Sequence, residues 1–248
     1  MKRLGFLFGC QRSGTTALLD AFGSLGSVRT YQERGSLLTC SEGDGLRLRP
    51  LEQIRPILES DVQDLVVLKP LAESHRMIEL IDFFPGSRAL WIFRDYRDVI
   101  ASTLRKWPSA NPEETFALML RSGSWSYFGS RECYSAPVVE LIENARKSHP
   151  TLADACAVLW IARNSLFLDL PLDDRLQPMN YEALVTNHRY ADRVFSHFGL
   201  SVAKEGWRAL FHDRSIGGGR DLELSPTLRA MAEETYARLA SANARAWQ

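Results

Sequence analysis

Residues 4–16, LGFLFGCQRSGTT, pass from a short apolar run into a turn bounded by Gly9 and Gly14 that carries Arg12 and the hydroxyls of Ser13, Thr15 and Thr16. An apolar run of this length that breaks at glycine reads as a buried strand feeding a loop and then a helix. The spacing is that of G-x-x-x-x-G-K-[ST], in which backbone N–H groups and the positive end of the following helix cradle phosphate. Thr16 stands where the Mg²⁺-holding hydroxyl belongs, whereas Thr15 replaces the lysine that reaches the β and γ phosphates. The cation close at hand is Arg12, inside the loop. Such a loop fits a phosphate whose neighbouring group carries less charge than a triphosphate tail. The competing reading is a tight strand-to-helix turn with a threonine-rich first helical turn.

Outward from this loop, VRTY at 28–31, DLVVLKP at 64–70, RALWIF at 88–93 and LQPMNY at 176–181 read as further buried strands, with helical patterns between them. The fold class expected is α/β, a central parallel sheet of about five strands flanked by helices and of P-loop nucleoside-triphosphatase type, with ligands outside the carboxyl ends of the strands. A long helix is expected through 151–170, and others near 188–198 and 203–213. Gly217, Gly218 and Gly219, flanked by Arg214 and Arg220, either bring backbone close to a ligand or form a flexible linker. Between 107 and 137 the pattern loosens into prolines, glycines and aromatics. This stretch is expected as an excursion over an acceptor site, against the alternative of a plain surface loop.

The chain has 248 residues, 45% of them hydrophobic and 24% charged, and its 30 basic residues match its 30 acidic ones, so a single domain over 1–248 with a full core is expected. Net neutrality argues against a nucleic-acid platform. Polar residues interrupt every apolar stretch well short of the roughly 18 residues of a membrane span. The start, MKRLGFLFGC, resembles a lipoprotein signal ending at Cys10, but its apolar stretch is shorter than the roughly 7 to 15 residues of a signal core, and it reads better as the first strand. Cys10, Cys40, Cys133 and Cys156 are scattered and the histidines show no ligand spacing, so neither zinc nor a disulfide framework is expected, and a cytoplasmic setting follows.

A second anion site is expected after the strand at 88–93. Arg94 lies at the strand end, and Asp98 and Ser102 share a face of the following helix. The Arg94 guanidinium and the Ser102 hydroxyl can converge on one phosphate, with Asp98 steadying the turn as an acid at the helix start. Two phosphate sites at two strand ends imply a bisphosphorylated nucleotide. Alternatively, Arg94, Asp95, Arg97 and Asp98 form a solvated ion-pair cluster.

With these segments in hand, the sequence resembles the sulfotransferases that use 3′-phosphoadenosine 5′-phosphosulfate (PAPS). Arg12, Ser13, Gly14, Thr15 and Thr16 match that family's 5′-phosphosulfate loop, and Arg94 with Ser102 matches its 3′-phosphate motif. KP at a strand end, FPGSRALWIFRDYRDVIAS, NYEALV and FSHFGL then follow in the family's order, so the likeness covers most of the chain. It implies that Tyr181 lies near the adenine, against a role as a core aromatic, and that the loop at 217–220, with Arg220, closes over the 3′-phosphate end. That loop departs from the lysine-glycine loop of the cytosolic members, and Ala17 stands where they carry a tryptophan.

The reaction implied moves a sulfuryl group from PAPS, a co-substrate requiring no metal, to a hydroxyl or amine. Charge grows on the departing phosphate, so cations must meet it, and Arg12 and Lys69 are the candidates. Lys69 is otherwise a surface lysine before Pro70. Leu71 occupies the position of the phenol-type members' histidine, so by the resemblance Glu33 is the expected general base. An ion pair of Glu33 with Arg34 or Arg29 competes, and His75 is the reserve base. A small molecule, carbohydrate or peptide remains open as acceptor, shaped by 34–60 and 107–137, and no oligomeric state is implied. The rival classes are a P-loop kinase or nucleoside triphosphatase and a non-catalytic nucleotide-binding member.

Overall fold

The strand β1 (Arg3–Gly9) sends Phe6 and Phe8 to one face and Leu7 to the other, the period-two alternation of a strand covered on both sides. The computed structural model describes residues 2–33, 38–42, 45–106, 130–148, 150–171, 173–201, 211, 213 and 216–247. In it β1 is the centre of a five-stranded sheet, flanked by β5 (Leu65–Leu68) and then β2 (Val28–Tyr31) on one side and by β6 (Arg88–Phe93) and then β7 (Leu176–Asn180) on the other. Every neighbouring pair runs parallel. All five strands coincide with the apolar runs read from the sequence, with differences of a few residues at some ends. Tyr181, for example, opens a helix and does not end a strand. A two-stranded antiparallel hairpin, β3 (Thr39–Glu42) and β4 (Gly45–Leu48), was not anticipated.

One face of the sheet is covered by α1 (Thr15–Gly23), α7 (Tyr181–Thr186) and α8 (His188–His197), through Leu18, Phe22, Leu184, Val194 and Phe195. The other face is covered by α2 (Leu51–Ser60), α3 (Met77–Phe83), α4 (Tyr96–Lys106), α5 (Ala136–Ser148), α6 (Leu152–Leu168) and α9 (Pro226–Ala246). Helix α6 is buried continuously from Asp154 to Phe167, as expected of a helix apolar on all sides, and the Thr151 hydroxyl caps it by accepting the Asp154 N–H. Inside this layer the Trp91 indole N–H donates to Asn164 Oδ1 at 3.0 Å and the Trp91 ring stacks on Phe167.

These layers place the site. The chain leaves β1 toward one face of the sheet, through α1, but leaves both of its neighbours, β5 and β6, toward the other, through α3 and α4. Connections that diverge in this way open a crevice at the carboxyl end of the central strand. The expected excursion is corrected at its far end, where residues 131–133 form a 3₁₀ turn and α5 begins at Ala136. Its part at 107–129 lies outside the described residues, as does most of the helix expected at 203–213. Among the described residues no helix is long and apolar enough to cross a membrane.

Truncating Asn164 to Ala leaves the fully buried Trp91 N–H without its acceptor. A loss of about 1–3 kcal/mol in unfolding free energy is expected, measured by urea denaturation. An unchanged midpoint would contradict the role given to this bond in fixing α6 to the sheet.

Candidate functional site

The loop after β1 is built on three residues with left-handed backbone, Gly9 (φ 137°), Arg12 (φ 65°) and Gly14 (φ 89°). A Cβ at Gly9 would collide with the Ile92 carbonyl, and one at Gly14 with the ring of Tyr181. Both glycines are therefore demanded by close approach as well as by φ. Arg12 has no such excuse, and its conformation costs about 1–2 kcal/mol. The geometry turns its guanidinium toward α4, where Nε donates to Ser102 Oγ at 3.1 Å. Ser13 is fully buried, and its hydroxyl meets no hydrogen-bond partner among the described residues, an orphan suited to an anion's oxygen. The loop is also stitched to the next strand connection, where Ser74 Oγ accepts the Gly9 N–H at 3.4 Å.

Lys69, at the end of β5, is buried, which removes its reading as a surface lysine. Its ammonium donates to Thr16 Oγ1 at 2.8 Å, so the hydroxyl that in a triphosphatase faces Mg²⁺ is here engaged by a cation of the chain itself. Burial pushes the Lys69 pKa down. The carboxylates of Glu33 and Asp20 act against this shift, and Lys106 adds to it. Glu33 is held in turn by the Ala72 N–H, which donates to its Oε1. Arg29, offered as a competing partner of Glu33, pairs with Asp61 at 3.7 Å, while Arg34 lies outside the described residues.

On the other side of the loop Arg94 is buried, not solvated. Its Nη2 donates to Asp98 Oδ2 at 3.2 Å, its Nε lies 3.7 Å from Glu182 Oε1, and its guanidinium sits 5.0 Å over the ring of Tyr181. Tyr181 is a buried aromatic, and its ring closes against Gly14. Arg94, Tyr181 and Gly14 thus form one stack joining the two strand ends. Of the expected ion-pair cluster Arg97 and Asp95 form a partly exposed pair at 3.3 Å, and Arg97 also pairs with Glu233 at 2.9 Å. Asp98 does more than steady the start of its own helix, because it also accepts backbone N–H groups from the glycine turn at 217–219. That turn is therefore anchored, not a free linker. Arg220, at its far end, is exposed and folds back over Gly217.

Burial, with Arg94 and Arg105 close by, pushes the Arg12 pKa down. Cations that raise one another's energy in a half-buried crevice mark a place where an anion is stabilised. Arg105 escaped the sequence reading, although it lies three residues after Ser102 on the same helix and could have been found by that spacing. Ser74 carried no local signal. His75 sits in the 3₁₀ turn at 71–76, its Nδ1 buried, and burial drives its pKa down to about 4. A base that weak is poorly placed to lead a proton transfer near neutrality. Among the described residues no group of three or more histidine, cysteine or carboxylate side chains could hold a metal.

No protein-family model matches the chain, and no curated protein matches it in sequence. Solved structures match in overall shape. The sulfotransferase domain of a Synechococcus olefin synthase is 14% identical, with 95% of this chain and 88% of that one aligned at a TM-score of 0.46. Mouse sulfotransferase SULT7A1 complexed with PAP is 10% identical over 99% and 86%, with a TM-score of 0.48. Sulfotransferase STF1 of Mycobacterium tuberculosis is 12% identical over 97% and 77%, with a TM-score of 0.37. At these values the likeness is one of broad architecture.

The His75 shift has a defined sign. Its folded pKa of about 4 lies below the usual 6.5, so the unfolded chain binds the extra proton first, and stability is lost as pH falls from about 6.5 toward 4. Glu73 opposes the shift, while Arg163, Arg47 and Arg76 favour it. Thermal melts across this window should show a shallower fall in Tm for His75→Gln than for the parent. Equal slopes would contradict the assignment.

Proposed function

We propose that this chain is a sulfotransferase that takes PAPS as donor and passes its sulfuryl group to a hydroxyl or amine of a small molecule, carbohydrate or peptide. The observation that carries the reading is the pairing of Lys69 with Thr16 beside that of Arg12 with Ser102. Two cations from different strand ends meet one phosphate loop, and Arg94 lies behind it. The residues present fit such a donor. The loop N–H groups of 12–16, the orphan Ser13 hydroxyl and Lys69 would hold its 5′ end, Arg94 and Ser102 its 3′-phosphate, and Tyr181 and Arg220 are carried as further nucleotide contacts.

In the proposed reaction an acceptor oxygen forms the new S–O bond as the bond from sulfur to the bridging phosphate oxygen breaks, and that oxygen keeps the electron pair. Lys69 and Arg12 stabilise its charge, as prepositioned donors do, and removing one such donor typically costs about 2.7–4 kcal/mol of barrier. Glu33 receives the acceptor's proton. Its support is position: it lies close enough to Lys69 to raise that group's pKa, and the Ala72 N–H holds its carboxylate in place.

Calorimetry in EDTA should show binding of 3′-phosphoadenosine 5′-phosphate and none of ATP. Arg94→Ala should weaken the bisphosphate far more than adenosine 5′-phosphosulfate, which lacks the 3′ phosphate. Tight binding of ATP with Mg²⁺ in place of the bisphosphate would support the kinase reading instead. With radiolabelled PAPS and a panel of acceptors, Glu33→Gln should lower turnover by roughly 10²-fold or more while leaving donor affinity nearly unchanged. Unchanged turnover would remove Glu33 from the role.

A further inference from the structure

The carboxylate of Asp98 is buried on the arginine that the foregoing reading assigns to the 3′-phosphate, an odd place for a negative charge if its only work were to begin a helix. Its two oxygens are shared between that arginine and a segment some 120 residues away in the chain. Oδ2 accepts Arg94 Nη2 at 3.2 Å and the Gly217 N–H at 2.8 Å, and Oδ1 accepts the Gly219 N–H at 3.0 Å. The turn is pressed home from a second side, since a Cβ at Gly219 would collide with the Arg97 carbonyl, so only glycine lets the two backbones meet. A third tie comes from Arg105, whose Nη1 donates to the Gly218 carbonyl at 3.3 Å. Three consecutive glycines have high conformational freedom of their own, and holding them in one arrangement requires such ties.

We infer that Asp98 is a positioning residue that locks Arg94 and the 216–220 turn into one unit, so that a nucleotide's 3′-phosphate is met by a prearranged arginine and turn together. This rests on the proposed sulfotransferase reading and extends it. Asp98 itself touches no reacting atom. A buried carboxylate with three donors is rigid, and its value lies in fixing one arrangement in advance. The selectivity for a 3′-phosphate is then shared by Arg94, Asp98 and Gly219, and breaking the tie at either end loosens the same recognition.

The test compares Kd values for 3′-phosphoadenosine 5′-phosphate and adenosine 5′-phosphate in the parent, Asp98→Asn and Gly219→Ala. The second variant leaves the Arg94–Asp98 pair in place and guards against misfolding of the first. Hydrogen exchange of the Gly217 and Gly219 amides is followed alongside. Each variant should lower the bisphosphate preference by about tenfold while the monophosphate Kd stays within about twofold, the scale of one lost charge-assisted hydrogen bond. The two amides should lose protection in Asp98→Asn. In an Arg94→Ala background either change should have little further effect, as coupled residues do. Retained preference, or equal loss for both nucleotides, overturns the inference alone. A parent protein with no preference for the bisphosphate overturns the sulfotransferase reading and the inference with it.

Discussion

The turn between Gly9 and Gly14 has no room for a side chain at either end. At one end the Ile92 carbonyl of the neighbouring strand fills the space, and at the other the ring of Tyr181 does. The left-handed backbone that results swings Arg12 across to Ser102. The rest of the site is assembled on this constraint. Lys69 can reach Thr16 because β5 ends beside β1, and Arg94 can lie over Tyr181 because β6 ends on the other side. The order of strands in the sheet is thus what makes one loop the meeting point of cations from three separate segments.

Charge in the crevice is balanced locally. Arg12, Arg94 and Lys69 are at least partly removed from water, and each faces neighbours that limit the cost: a serine hydroxyl for Arg12, the Asp98 and Glu182 carboxylates for Arg94, and a threonine hydroxyl and the Glu33 charge for Lys69. Buried ion pairs contribute little net stability, because desolvation offsets the attraction, but they fix geometry when fully bonded. In the Arg94–Asp98 pair the carboxylate accepts three donors, and the arrangement it fixes includes the glycine turn. The downward shifts of the Arg12 and Lys69 pKa values come first from burial and, for Arg12, from neighbouring cations.

Much of this was legible in the sequence because it depends on local pattern. The five sheet strands are short apolar runs between helical periods; Gly9, Lys69 and Arg94 sit at strand ends, and Gly14, Thr16 and Ser102 on the loop and helices that follow them, where a parallel α/β sheet puts its ligands. What was missed is non-local or weakly patterned. The hairpin of β3 and β4 is built from TCSE and GLRL, which lack an apolar alternation strong enough to announce a strand. Asp98 and Ser102 were correctly placed on one helix face, but the partner of Ser102 proved to be Arg12, 90 positions earlier, and Asp98 reached the glycine turn through contacts 119 and 121 positions apart. No local period encodes such contacts. Tyr181 is the buried aromatic of the competing reading, and its ring also closes against Gly14 of the loop.

The central claim is that one crevice grips two separate anions of one nucleotide. A crystal structure of the chain with 3′-phosphoadenosine 5′-phosphate, grown without divalent metal, tests it most directly. The account predicts the 5′-phosphate within hydrogen-bond distance of the 12–16 backbone N–H groups and Lys69, and the 3′-phosphate against Arg94 and Ser102. A nucleotide bound with either phosphate turned away to solvent, or seated elsewhere on the molecule, would contradict it.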